Sequence, residues 1–210
     1  ILRCLVGSEM CIRDRFNTIA KTPERYKVEA LQEGMKKPEP TPESMAPAQE
    51  TSTKPADESK KLWIDRYLSV SYPLQRIRIT SPYGYRKDPF TGKRKFHGGI
   101  DLHARGEQVL AMMEGVVVKV GQDKTSGKYV TLRHGNYTVS YCHLSRVLAA
   151  KGTVVRPRDA VGITGSTGRS TGEHLHVTCK LNGKNINPSV LFDYIKSMQQ
   201  ECVSALAGLL

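Results

Sequence analysis

From residue 76 onward the chain alternates. Arg76-Ile77-Arg78-Ile79-Thr80 sets polar against apolar at every step, the period-two pattern of a strand with one wet and one dry face. Gly115 to Val120 is a short Val-rich run. Tyr129 to Arg133 and Tyr137 to Cys142 flank the turn His134-Gly135-Asn136, and Ala160 to Thr164 and His174 to Leu181 are further short runs. Glycine and asparagine tolerate the positive φ that such tight turns require. Asn182-Gly183, directly after Leu181, is a strong hairpin signal. Pro188 then opens a predicted helix that runs to Met198, since proline is favoured in a first helical turn. Many short strands joined by glycine-rich turns predict a mainly β fold: an antiparallel β-sheet domain with a short C-terminal helix.

Ahead of Leu62 this patterning is lost. Phe16 to Met35 is polar and weakly periodic, and Lys36 to Lys61 carries prolines at 38, 40, 42, 47 and 55 among Glu, Ser, Thr and Ala. Such a stretch has little to bury and is expected to be disordered. The expected organisation is therefore a linker over 16–61, a compact domain over 62–198 and a tail over 199–210. A domain of that length buries roughly two thirds of its unfolded surface. No stretch approaches the ~20 apolar residues of a membrane span. Leu5 to Asp14 resembles the translation of a transposon-type sequencing adapter, so 1–15 is expected to be an artefact that replaces the native start and any export signal.

Charge narrows the function classes. The formal net charge is +12, and about +11 once Arg3, Arg13, Arg15, Glu9 and Asp14 are set aside. Charge of this size often marks nucleic-acid or anionic-surface binding. The basic residues here are dispersed, from Arg76 through Lys95 to Arg158, without a recognition helix or aromatic RNA-binding signature. Attraction to an anionic cell-wall polymer is the more economical reading, and no nucleic-acid partner is expected. Beyond the adapter-like segment, Cys142, Cys179 and Cys202 make neither a Cys-x-x-Cys site nor a disulfide framework. Cys142 adjoins His143; on a regular strand the two face opposite sides, so Cys142 is expected in the core.

The candidate chemistry lies in three histidine patterns. His97-Gly98-Gly99-Ile100-Asp101 sets an imidazole and a carboxylate four apart, His143 sits in Tyr141-Cys142-His143-Leu144-Ser145, and His174-Leu175-His176 follows a glycine-rich run. Imidazole and carboxylate suit zinc, and a catalytic zinc keeps three protein ligands with one position open. Four histidines and one carboxylate exceed that need, leaving two groups for proton handling. Gly98 and Gly99 disfavour a helix, so His97 and Asp101 are expected on a turn entering a strand. His174 and His176 share one face of a strand. His103, two beyond Asp101, can share that face but reads more plainly as a polar edge residue, and His134 reads as structural. Arg86 reads as a groove-wall or packing residue. The run Gly162 to Gly172 lacks the Gly-Lys-Ser/Thr ending of a nucleotide loop and better fits close approach to an extended peptide.

In order along the chain stand Ser81-Pro82-Tyr83-Gly84-Tyr85-Arg86, His97 to Asp101, Tyr141 to Ser145, Gly165 to His176 and Asn182 to Pro188. This ordered set resembles the lysostaphin-type (LytM-like) zinc endopeptidases that cut peptidoglycan, over roughly 77–195. The resemblance implies an open active-site groove on a β fold and a zinc cofactor. Carried over residue by residue, it implies His97, Asp101 and His176 as zinc ligands, with His143 and His174 as general base and transition-state stabiliser. It further implies peptidoglycan cross-links or stem peptides as substrate and a bacterial cell-envelope location, periplasmic or secreted. Relatives cut either D-alanyl or glycyl–glycine bonds with the same metal motif, and D-alanyl bonds are the expectation here because only a short tail, with no wall-targeting domain, follows Ile195. A monomer is expected. The rival expectation is a catalytically silent cell-wall binder or hydrolase activator. Arg158, where glycine is usual, and Glu107-Gln108, where Thr-Pro is common, depart from the family pattern in turns and leave the metal motif intact.

Overall fold

A computed structural model describes residues 55–209. The expectations for 1–15 and for most of the linker lie outside them. The chain divides into two units, Ile1–Ser59 and Lys60–Leu210, and the strands all belong to the second. Helix α1, Pro55–Leu68, begins inside the stretch read as linker. Proline suits its first position, and Asp57 and Glu58 in the first turn with Arg66 in the last complement the helix dipole.

The strands follow in chain order: β1 Ile79–Ser81, β2 Gly84–Lys87, β3 Arg94–His97, β4 Ile100–His103, β5 Gln108–Leu110, β6 Gly115–Asp123, β7 Gly127–His134, β8 Tyr137–Leu144, β9 Arg146–Val147, β10 Val154–Val155, β11 Ala160–Ile163, β12 His174–Leu181 and β13 Lys184–Ile186. The main sheet runs β1-β4-β12-β8-β7-β6-β10, with β13 also on β12; β5-β11-β9 and β2-β3 form two smaller sheets. Every strand pair is antiparallel. Asn182 at φ 49° and Gly183 at φ 79° close the β12–β13 hairpin where the dipeptide predicts it.

Alternation decides which face is dry. On β12, Leu175, Val177 and Cys179 are fully buried, while His174, His176 and Thr178 stay partly exposed on the other face. Ile100 and Leu102 of β4, Val130 and Leu132 of β7, and Val139 and Tyr141 of β8 continue the dry side, each worth roughly 1.5–3 kcal/mol when removed from water. The C-terminal helix α2, Ser189–Ala207, is longer than expected and occupies most of the predicted tail. Its apolar stripe explains the difference: Leu191, Ile195, Met198 and Cys202 are buried at helical spacing, so the stripe does not stop at Met198.

Candidate metal centre and its groove

Strand pairing brings the first histidine pattern to the third. β3 ends at His97, Gly98 and Gly99 make the turn, and β4 carries Asp101. Asp101 is the cross-strand partner of His176, so carboxylate and imidazole share a face. Gly99 makes this approach possible. A Cβ there would collide with the Val177 carbonyl oxygen and lie 2.7 Å from Cε1 and 2.8 Å from Nε2 of His176.

Three acceptor-type atoms then converge. His176 Nδ1 lies 2.7 Å from Asp101 Oδ1, His97 Nε2 lies 3.2 Å from the same oxygen, and the two ring nitrogens are 3.1 Å apart. His97 Nδ1 donates to the Pro82 carbonyl at 2.8 Å, which leaves Nε2 as a lone pair aimed at the cluster. Burial alone would raise the Asp101 pKa. When the facing nitrogens of His176 and His97 carry protons, their hydrogen bonds and charge outweigh it and hold the carboxyl far below the usual carboxylate range. Two imidazoles and one carboxylate, facing inward and nearly buried, form the donor set that suits a divalent transition metal. Among the described residues it is the one such cluster found.

His174 and His143 stand beside this trio. His174 Nδ1 donates to the Gly172 carbonyl at 2.7 Å, and its Nε2 lies 3.6 Å from Asp101 Oδ1. His143 Nδ1 donates to the Thr167 carbonyl at 2.8 Å. In both rings the proton sits on Nδ1 and the Nε2 lone pair is free. The His143 and His174 ring centroids are 4.7 Å apart, and His143 lies 5.7 Å from His176. Burial lowers the His143 pKa, with His174 and His176 adding to it against the Thr167 carbonyl and Asp101.

His143 reaches the groove by an unexpected route: Cys142 is buried as expected, but on the groove side of the sheet rather than opposite His143. Cys142 pairs directly with His176 and lines the groove. His143 has φ 62°, in the left-handed region, so alternation fails there and both residues turn to the groove side. Left-handed non-glycine residues are uncommon, and histidine is among those enriched there. The Cys142 thiol is 5% exposed and burial, aided by Asp123, pushes its pKa up to about 12. It is a neutral part of the floor, outside the trio. His103 lines the groove and is exposed, also outside the trio, while His134 is fully buried with Nδ1 donating to the Glu114 carbonyl at 2.9 Å.

The groove has a volume of about 810 Å³. Arg86 does more than line it: its Nη2 lies 3.4 Å from Asp101 Oδ2, the oxygen turned away from the histidines. Sequence reasoning missed this, as it missed the carbonyls of Pro82, Thr167 and Gly172 that set the histidine tautomers. The recognised Ser-Pro-Tyr-Gly and glycine-rich segments held the signal, although backbone acceptors leave no residue-type signature. The Arg158 departure is visible as φ 73° at a turn where glycine is at ease.

A mainly antiparallel β domain with an inward-facing His/Asp trio, two further histidines and an open groove has the make-up of a metallopeptidase. Residues 95–188 match the sequence profile of Peptidase family M23. It is 42% identical over 118 residues to the DD-carboxypeptidase/endopeptidase Mpg of Neisseria meningitidis serogroup B, a match covering 55% of this chain and 27% of that protein. The catalytic domain of lysostaphin from Staphylococcus simulans aligns with TM-score 0.53 and 26% identity, covering 60% of this chain and 98% of that one. A zinc-containing peptidase from Vibrio cholerae aligns with TM-score 0.52 and 31% identity, covering 55% of this chain and 37% of that one. The matched region spans about a quarter of the length of the first curated relatives.

Proposed function

We propose that this protein is a zinc endopeptidase that hydrolyses peptide bonds in peptidoglycan cross-links or stem peptides. The observation that carries the reading is the inward-facing trio of His97, Asp101 and His176 with two Nε2 lone pairs beside it. The trio would hold zinc through His97 Nε2, His176 Nδ1 and an Asp101 oxygen. When bound, zinc supplies a Lewis acid that brings the pKa of water down to about 7.

The remaining chemistry belongs to the chain. His143 and His174, each donating from Nδ1, turn their Nε2 nitrogens to the groove; they take the proton of the attacking water and pass it to the leaving amine. As imidazolium ions they donate to the developing oxyanion. Arg86 and the Pro82 carbonyl fix the orientations of Asp101 and His97, the outer support that metal ligands generally need. The open groove suits an extended peptide. The named activity of the Neisseria relative, together with the cell-wall substrate, supports D-alanyl bonds and a cell-envelope location, periplasmic or secreted. Digestion of purified sacculi rich in D-alanyl cross-links, beside pentaglycine-bridged walls, tests this by mass spectrometry of the products. Release confined to the first wall type is the expected result; cleavage confined to glycine bridges refutes the bond assignment.

A further inference from the structure

Asp88 is buried to 7% exposure in the turn between β2 and β3, and its neighbours give it two separate tasks. Oδ1 accepts the Phe90 N–H at 2.9 Å and the Thr91 N–H at 3.0 Å, which shapes the turn. Both carboxylate oxygens also accept from Arg169 Nη2, at 3.1 and 3.2 Å, while Lys95 Nζ stands 3.8 Å away. The Arg169 guanidinium in turn lies 4.5 Å over the Phe90 ring. Arg169 belongs to the glycine-rich loop, so this contact ties that loop to the β2–β3 hairpin. Burial would raise the Asp88 pKa, but the Thr91 and Phe90 N–H groups, Arg169 and Lys95 hold it below the ordinary value.

What each partner carries gives the tie its meaning. Two residues before Arg169, the Thr167 carbonyl accepts from His143; three residues after it, the Gly172 carbonyl accepts from His174. Ser170 Oγ braces the Gly172 carbonyl at 2.6 Å. On the other side, β3 ends in His97, and β2 carries Arg86 against Asp101. One side of the tie thus orients the two proton-handling histidines, and the other bears metal-ligand geometry.

We propose that the Asp88–Arg169 ion pair is a positioning latch that fixes the reach of His143 and His174 toward the trio. This rests on the proton-handling role proposed above. Neither residue touches the reacting atoms, and both Asp88 oxygens are engaged, so the pair acts through the loop. Asp88→Asn is the discriminating variant, because asparagine keeps an oxygen for the turn N–H groups and loses the charge.

The test compares the zinc-loaded full chain with Asp88→Asn, Arg169→Ala, their double variant and Arg169→Lys, on a D-alanyl cross-linked peptide. Each single loss of the pair is expected to lower kcat by about ten- to a hundred-fold, the scale of a misplaced catalytic group. KM and zinc content stay close to wild type. The double variant is no slower than the slower single, because partners in one interaction are non-additive. Arg169→Lys recovers part of the rate, having the charge without the planar fork. Losses that multiply in the double variant, a wild-type kcat in Asp88→Asn, or a KM rise at unchanged kcat would each overturn the latch. Amide hydrogen exchange over 165–172 reads it without activity: faster exchange in Asp88→Asn is expected, and unchanged protection overturns it. A wild-type chain that cleaves no peptide defeats the proposed function, while the exchange result still judges the latch.

Discussion

Adjacent glycines at 98 and 99 should respond in opposite ways to the same added methyl group. At Gly99 the new Cβ would lie 2.7 Å from His176 Cε1 and 2.8 Å from Nε2, with the Val177 carbonyl oxygen closer still. An ordinary contact begins near 3.4 Å, so the ring has to retreat by about 0.7 Å or β4 has to part from β12. The ring is a proposed metal ligand, and disturbing a ligand's surroundings typically costs about 10–100-fold in affinity or activity. Overpacking against the strand adds about 1–3 kcal/mol of destabilisation. At Gly98 nothing lies within 4 Å of the added Cβ, and its φ is outside the left-handed range. Gly98→Ala is therefore expected to be neutral or to stabilise by up to about 1 kcal/mol, through the unfolded chain. Competition with a fluorescent zinc chelator, beside a denaturant melt, reads both quantities for both variants. Equal zinc affinities in the two would refute the argument that Gly99 exists to admit the His176 ring.

Alanine at His143 or His174 is expected to lower kcat by about 10²–10⁴-fold with one zinc retained, whereas alanine at His97, Asp101 or His176 removes zinc and activity together; metal analysis of each purified variant checks the division. His134 supplies a pH-dependent term. Burial depresses its folded pKa, against the opposing Glu114 carbonyl, so on acidification the unfolded chain binds the proton first. Its contribution is complete above about pH 6.5 and is lost as pH falls toward the depressed value, at up to about 1.4 kcal/mol per unit. His134→Leu should flatten the pH dependence of stability below pH 6.5 by about one proton; an unchanged slope would count against it. Arg158→Gly relieves a left-handed residue at φ 73° and is expected to raise stability by about 0.5–1 kcal/mol in urea melts.

How much of this was readable beforehand follows from where each feature is encoded. β12 emerges from its alternation with its bounds intact, because one face is fully buried and the other lines the groove. The β2–β3 hairpin escaped, since Tyr85, Arg86, Lys87 and Arg94 to Phe96 carry no dry face; all but Arg86 are exposed. Its role comes from Asp88 and Arg169, a pair 81 residues apart that no local period reports. The histidine and aspartate types announced a metal site, and Cys142 is buried as expected, but alternation set it on the face opposite His143 because the left-handed backbone at His143 is a local exception to strand geometry. The helix end was missed at Met198 because Gln199 to Glu201 are polar, although the buried stripe resumes at Cys202.

The central claim is that one zinc, held by His97, Asp101 and His176, makes this chain a cell-wall hydrolase. Stripping the purified protein with a chelator, returning zinc in measured steps and following muropeptide release from sacculi tests it most directly. No release is expected from the stripped protein, and the rate should climb to a plateau at one zinc per chain. Release that persists undiminished without metal, or none at any zinc level, would contradict it.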